Sequence, residues 1–187
     1  MIDHVEERAR TDAGIGCAYF YFPRGNEDYD ESFIWATLLE QLVRQPIREP
    51  IVNPYIIQRF NESLRGSEQP HCSEYEKLFQ AQISTFKTVY LFLDALESFS
   101  TNDQSFIMKL GQLPGQVKLV FTSRDISRFG GCTVDHNIHI TPKQSDIELY
   151  VHSQIHGHFT LRTLLEKKED MNKVVSGVTT LAMTSNM

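Results

Sequence analysis

The residues with the clearest chemical potential are two carboxylates at the end of an apolar run. Val89-Tyr90-Leu91-Phe92-Leu93 is followed by Asp94, and Glu97 comes three residues later. A strand buried on both faces reads as a continuous apolar run. An acid at its carboxyl end lies where open α/β sheets bind ligands, and from there it can order a magnesium shell. The same acid can also serve as an ordinary helix N-cap. A second apolar run, Val117 to Thr122, ends in Ser123-Arg124, and Arg124 can act as a structural ion-pair partner for a nearby carboxylate. His152 and His156 stand four apart with His158 just beyond, a spacing that can hold zinc. No cysteine or acid completes a zinc signature there, so a polar helix face is expected. Cys17 opens an apolar run and reads as core, not as a nucleophile. No Ser-His-Asp or Cys-His arrangement has motif context.

The elements that must position these residues are a set of short strands separated by helices. Ile2 to Arg10 reads as a helix without a starting cap. Cys17 to Phe22 reads as a buried strand rich in β-formers. After a turn at Pro23 to Asp28, Ser32 is the expected N-cap of a helix from Phe33 to Arg44, whose Trp35, Leu38, Leu39, Leu42 and Val43 fall on one face. A short helix is expected over Tyr55 to Leu64 and an exposed loop over Gly66 to Cys72. Ser73 with Glu76 forms the pattern of a capping box, opening a helix through Leu78, Phe79, Ile83 and Phe86. A short helix around Gln104 to Leu110 precedes the Pro114-Gly115 turn. Gly130-Gly131 marks a loop, Asn137 to Ile140 reads as a last short strand, and Thr141-Pro142 opens a turn. A helix then runs from Ser145 through Ile155, and the charged Glu166 to Asp170 segment is expected to be helical and solvent-facing. Four strands alternating with helices predict an α/β fold with a parallel sheet and crossover helices.

Composition bounds the function. At 187 residues the chain can bury a full core. Its net charge of −6 gives no electrostatic reason to expect nucleic acid. No apolar run approaches the roughly 20 residues of a membrane helix, and the charged start, Met1 to Arg8, lacks a secretory h-region. Three widely spaced cysteines, Cys17, Cys72 and Cys132, fit reduced thiols in a cytoplasmic protein.

Several blocks together carry a resemblance: CAYFYF followed by TLLEQL, then VYLFLDALESF, then VKLVFTSR with DIELYV after it. In order and spacing they resemble a NACHT-type (STAND) P-loop NTPase, in particular the nephrocystin-3-like N-terminal domain of fungal signalling proteins. The resemblance implies a three-layer α/β/α P-loop NTPase core over residues 1–143 and the start of a helical subdomain over 144–187, where Asp146 and Tyr150 match. It implies that Asp94 is the Walker B aspartate holding Mg2+ through water, that Glu97 polarises the attacking water, and that Arg124 is the sensor arginine for the terminal phosphate. Relatives carry Asp-Glu where this chain has Glu97-Ser98, so one acid is kept. Near Ser176-Gly177-Val178 the chain departs from the family pattern.

The Walker A motif, Gly-x-x-x-x-Gly-Lys-Ser/Thr, does not occur in the sequence; Lys87-Thr88 follows Phe86, not glycine. The resemblance therefore implies a chain truncated before this loop or lacking it, and so a partial sheet of about four strands with the first strand missing. That strand would sit between the Val117 and Asn137 strands, and its loss predicts poor stability or aggregation. Without the cradle and its lysine, phosphoryl transfer loses most of its electrostatic support. The expected function is a degenerate nucleotide-binding signalling domain, ancestrally an ATP- or GTP-driven oligomerisation switch, that does not hydrolyse as this chain. Mg2+ with ATP or GTP is the family's cofactor set, and this chain would bind it weakly or not at all. The alternative is a nucleotide-independent interaction scaffold. Expected partners are proteins, either further copies of the chain or full-length paralogues, with no nucleic acid and no membrane.

Overall fold

A computed structural model of the chain describes residues 1–23, 30–45, 51–64, 70–99, 104–124, 134–140, 143–165 and 168–184. The loops and turns expected around Arg24 to Asp28, Gly66 to Gln69, Gly130-Gly131 and Thr141-Pro142, together with Glu166-Lys167, lie outside these residues. The chain divides into two compact units, Met1–Thr133 and Val134–Met187.

The first unit is α/β. Its strands are β1 (Ile15–Tyr21), β2 (Thr88–Asp94) and β3 (Val117–Phe121), in the order β1-β2-β3. Both pairs are parallel: Ile15 lies opposite Thr88 and Tyr21 opposite Asp94, while Val89 lies opposite Val117 and Leu93 opposite Phe121. Alternate residues serve opposite faces. Ala18, Phe20, Val89, Leu91 and Leu93 point into the main core. They meet α2 (Glu31–Val43), α4 (Cys72–Ile83) and α5 (Gln104–Gly111). Trp35 is fully buried there, its ring 5.1 Å from that of Phe79 and 5.3 Å from that of Phe106. On the other face Ile15, Cys17 and Phe92 pack against Val5 and Ala9 of α1 (Ile2–Thr11). Two-sided burial explains why β1 and β2 read as unbroken apolar runs. Gly16 is there because the strand, helix and loop close in on it: a Cβ would come within 3.0 Å of Val89 and 3.2 Å of Leu42.

The sheet differs from expectation at its far end. Asn137 to Ile140 forms no strand; residues 134–140 are exposed throughout, Ile138 at 81% and Ile140 at 83%. A two-residue alternation over four positions is too short to order backbone without a neighbouring strand to bond. Among the described residues β3 is therefore a terminal strand of the sheet. Its alternate residues Lys118 and Val120 are exposed, in contrast to the two-sided burial of β1. The edge of β1 is covered by side chains. Tyr19 N–H donates to Gln41 Oε1 and Gln41 Nε2 donates to Tyr19 O, both at 2.9 Å, so one amide imitates a neighbouring strand. Gln45, one helical turn on, donates Nε2 to Cys17 O at 2.9 Å. Such covering keeps an edge from recruiting foreign strands.

Two helix starts also differ. Helix α2 is capped by Asp30, whose carboxylate accepts from Ser32 N, so Ser32 lies inside the helix; the aspartate two residues earlier takes the N-cap position, for which it is as well suited as serine. Helix α4 begins at Cys72 with no side-chain cap. Glu76 is drawn instead to Lys109 Nζ, 3.5 Å away. Lys109 in turn pairs with the buried Glu31 at 2.6 Å, and Glu31 accepts from Trp35 Nε1 at 2.8 Å.

The second unit contains α6 (Gln144–Gly157), α7 (Phe159–Leu164) and α8 (Lys168–Thr184). Its small core joins Val151, Ile155 and Val175, with Ile147 and Met171 against them. Residues 168–184 are helical through the point where the sequence leaves the family pattern.

Candidate functional site

The tips of β2 and β3 are neighbours because the two strands run parallel and in register. Asp94 ends β2, and Arg124 follows β3 by three residues. Both therefore lie on the carboxyl rim of the sheet. The tie between the strands at this rim is Thr122. Its N–H donates to Leu93 O at 2.9 Å and its carbonyl accepts from Leu96 N at 3.0 Å. Its hydroxyl donates to Asp94 Oδ1 at 2.5 Å and accepts from Ala95 N at 2.9 Å. One side chain thus orients the carboxylate and satisfies the first amide beyond the strand.

Ala95 makes the turn that brings the second acid back to the rim. Its φ is +56°, the left-handed region, the one such non-glycine residue among those described. That conformation costs an alanine about 1 kcal/mol or more, and non-glycine strain of this kind tends to collect at functional sites. The turn opens a single 3-10 turn, Leu96–Ser98, closed by Ser98 N–H on Ala95 O at 2.8 Å. Leu96 drops into the core and is 3% exposed. Glu97 is directed to Arg124: Arg124 Nε donates to Glu97 Oε1 at 2.9 Å, and Arg124 N–H donates to Glu97 Oε2 at 3.3 Å.

The three residues singled out from the sequence therefore gather on one rim, and Glu97 and Arg124 touch. The arginine holds both carboxylate oxygens of Glu97, and its side chain remains 65% exposed. As it stands, the Glu97 carboxylate is neutralised and engaged, an ion-pair partner before it is a base. Two participants escaped the sequence reading. Thr122 was visible only as a strand residue, although a hydroxyl beside a strand-end acid is a signal that could have marked it. Ala95 carried no signal, since alanine is not a residue that favours left-handed turns.

The remaining candidates separate from this rim. The Cys17 thiol is buried on the α1 face; desolvation, aided by the Glu6 charge, pushes it up to about 12, so it stays protonated. His152 and His156 stack with ring centroids 6.4 Å apart. Among the described residues no three His, Cys, Asp or Glu groups are placed to share a metal ion. No described helix is long and apolar enough to cross a membrane.

The residues present fit only part of a magnesium–nucleotide site. Asp94 is an exposed acid at a strand tip, the right chemistry for the water shell of Mg2+. A glycine-rich phosphate cradle with its lysine has no counterpart in the sequence. Compared with known proteins, residues 1–124 match the family described as Nephrocystin 3, N-terminal. No curated protein and no solved structure matches the chain.

Proposed function

Since the chain belongs to the nephrocystin 3 N-terminal family, we propose that it is a signalling and protein-interaction domain built on the frame of a NACHT-type nucleotide switch. The observation that carries this reading is the joint placement of Asp94, Glu97 and Arg124 on one carboxyl rim, tied by Thr122. Asp94 would order Mg2+ through water. Glu97 would act on Arg124, presenting a guanidinium whose Nη groups make no ion pair among the described residues and can meet a phosphate. With Glu97 so engaged and no cradle in the sequence, the chain binds ATP or GTP weakly or not at all and does not hydrolyse it. Its cytoplasmic partners would be further copies of itself or intact relatives.

Calorimetric titration of the whole chain with Mg-ATP and Mg-GTP tests this. The expected result is no binding tighter than about 1 mM. Binding near 1 μM that Asp94→Ala abolishes would overturn the degenerate reading and make the rim a working site.

A nucleotide-independent scaffold is favoured by one feature, the outer face of α3 (Pro54–Leu64). Ile57, Phe60 and Leu64 are 50%, 64% and 70% exposed, and their spacing sets them on one helical stripe. Pull-down of an intact relative that is lost on Phe60→Ser but kept on Glu97→Ala would support the scaffold over the switch.

A further inference from the structure

The two edges of the sheet are finished differently. At β1 the amides of Gln41 and Gln45 occupy the outward backbone groups of Tyr19 and Cys17. At β3 the ladder fixes which groups face outward: Val89 N–H donates to Gln116 O at 3.0 Å, and Thr122 N–H donates to Leu93 O at 2.9 Å. Residues alternate along a ladder, so Lys118 and Val120 bond β2, while Leu119 turns its N–H and C=O away from it. Among the described residues neither of these Leu119 groups has a partner. An open donor and acceptor in the middle of an edge strand are a template for another strand.

The side chains of β3 select the strand that fits. Val117, Leu119 and Phe121 lie on the main-core face and are only half-buried. Lys118 and Val120 lie on the opposite face and are exposed, Val120 at 36%. The run Val117-Lys118-Leu119-Val120-Phe121 is self-complementary about its centre. A two-fold axis perpendicular to the sheet at Leu119 sets Leu119 opposite its own mate, Val117 opposite Phe121 of the second copy, and Lys118 opposite Val120. Apolar residues then meet on the core face. A lysine on an edge strand ordinarily discourages pairing. This register sets the two lysines on a diagonal, and each stem can lie along the facing valine with its ammonium in water.

We propose that the β3 edge binds a second copy of this chain, antiparallel and centred on Leu119, joining the two three-stranded sheets into one of six strands. At the centre each Leu119 N–H donates to the carbonyl of the other Leu119. The axis keeps the two core faces on the same side, so the half-buried apolar residues of each copy are covered by those of the other. A two-fold pairing with parallel strands would instead turn one core face against the other's outer face. The proposal rests on the reading of further copies as partners and gives that reading a surface.

The test is analytical ultracentrifugation of the whole chain up to about 500 μM. A contact of five residues a side is small, so the expected result is a monomer–dimer equilibrium with Kd about 10–100 μM. Val120→Lys places lysine opposite lysine twice in the dimer and should weaken it at least about tenfold. Adding Lys118→Glu turns both clashes into opposite-charge pairs and should bring Kd back to within about threefold of the wild type. Both positions are exposed, so these substitutions should leave the monomer folded. A dimer that Val120→Lys leaves unchanged, or that the double variant fails to restore, would remove this edge while leaving self-association in place. A chain that stays monomeric at about 500 μM would remove both the edge and self-association, leaving β3 to a strand from a different protein.

Discussion

Replacing Thr122 with valine should loosen the rim while leaving the rest of the sheet in place. The change keeps the β-branched shape and removes one oxygen. That oxygen accepts from the half-buried Ala95 N–H at 2.9 Å and donates to Asp94 at 2.5 Å. An orphaned amide at a half-buried site costs about 1 kcal/mol, less than in a sealed core because water reaches it in part. The lost donor to Asp94 adds less than about 1 kcal/mol, since that carboxylate is exposed and water replaces the hydroxyl. The sum is about 1–2 kcal/mol. Trp35 is the only tryptophan in the sequence and is fully buried, so its fluorescence reports unfolding in urea. A loss of that size moves the midpoint down by roughly 0.5–1 M. Amide exchange at Ala95 should accelerate about five- to thirtyfold, and Thr122→Ser, which keeps the hydroxyl, should restore most of both. The reasoning fails if Thr122→Val unfolds with the native midpoint and Ala95 keeps its full protection.

Three further outcomes follow from the same geometry. In thermal melts Ala95→Val should lower stability by about 1–2 kcal/mol, because a β-branched residue is worse than alanine at φ +56°; Ala95→Gly should cost nothing. Lys109→Met leaves the buried Glu31 without its cation and should cost about 2–3 kcal/mol in urea titration, below the 3–5 of a sealed pair because Lys109 is partly exposed; adding Glu31→Gln, which keeps an acceptor for Trp35, should recover most of it. Burial holds the Cys17 thiol at about 12 against an ordinary value of 9.0. The native state therefore keeps a proton that the unfolded chain releases, and the contribution of Cys17, whole below pH 9, should decline as pH rises from 9 toward 12. Urea midpoints measured across that range for the wild type and Cys17→Ala should converge as pH rises; parallel curves would contradict it.

How much was legible depended on the range of the interaction. The runs Cys17 to Phe22, Val89 to Leu93 and Val117 to Phe121 announced strands because each is backed by packing on at least one side, and two of them on both. The stripe Trp35, Leu38, Leu39 and Leu42 announced α2 for the same reason. Helix starts were less legible, since the cap depends on which of several nearby acceptors wins: Asp30 displaced Ser32, and Lys109 took Glu76 away from the Ser73 capping box. The Asn137 to Ile140 alternation looked like a strand, but strand formation needs a partner edge, which no local pattern supplies.

From its own composition and order the chain determined an α/β class, the three strands that form, two of them with an acid or an arginine at or just beyond their ends, and the lack of a phosphate-cradling motif in the sequence, because apolar periodicity and motif spacing are properties of adjacent residues. Tertiary structure alone decided that Glu97 grips Arg124, that Thr122 bridges Asp94 and Ala95, and that Gln41 and Gln45 close the β1 edge. Those contacts join residues 22 to 28 positions apart, and over such separations only the register of the folded sheet determines which polar groups meet.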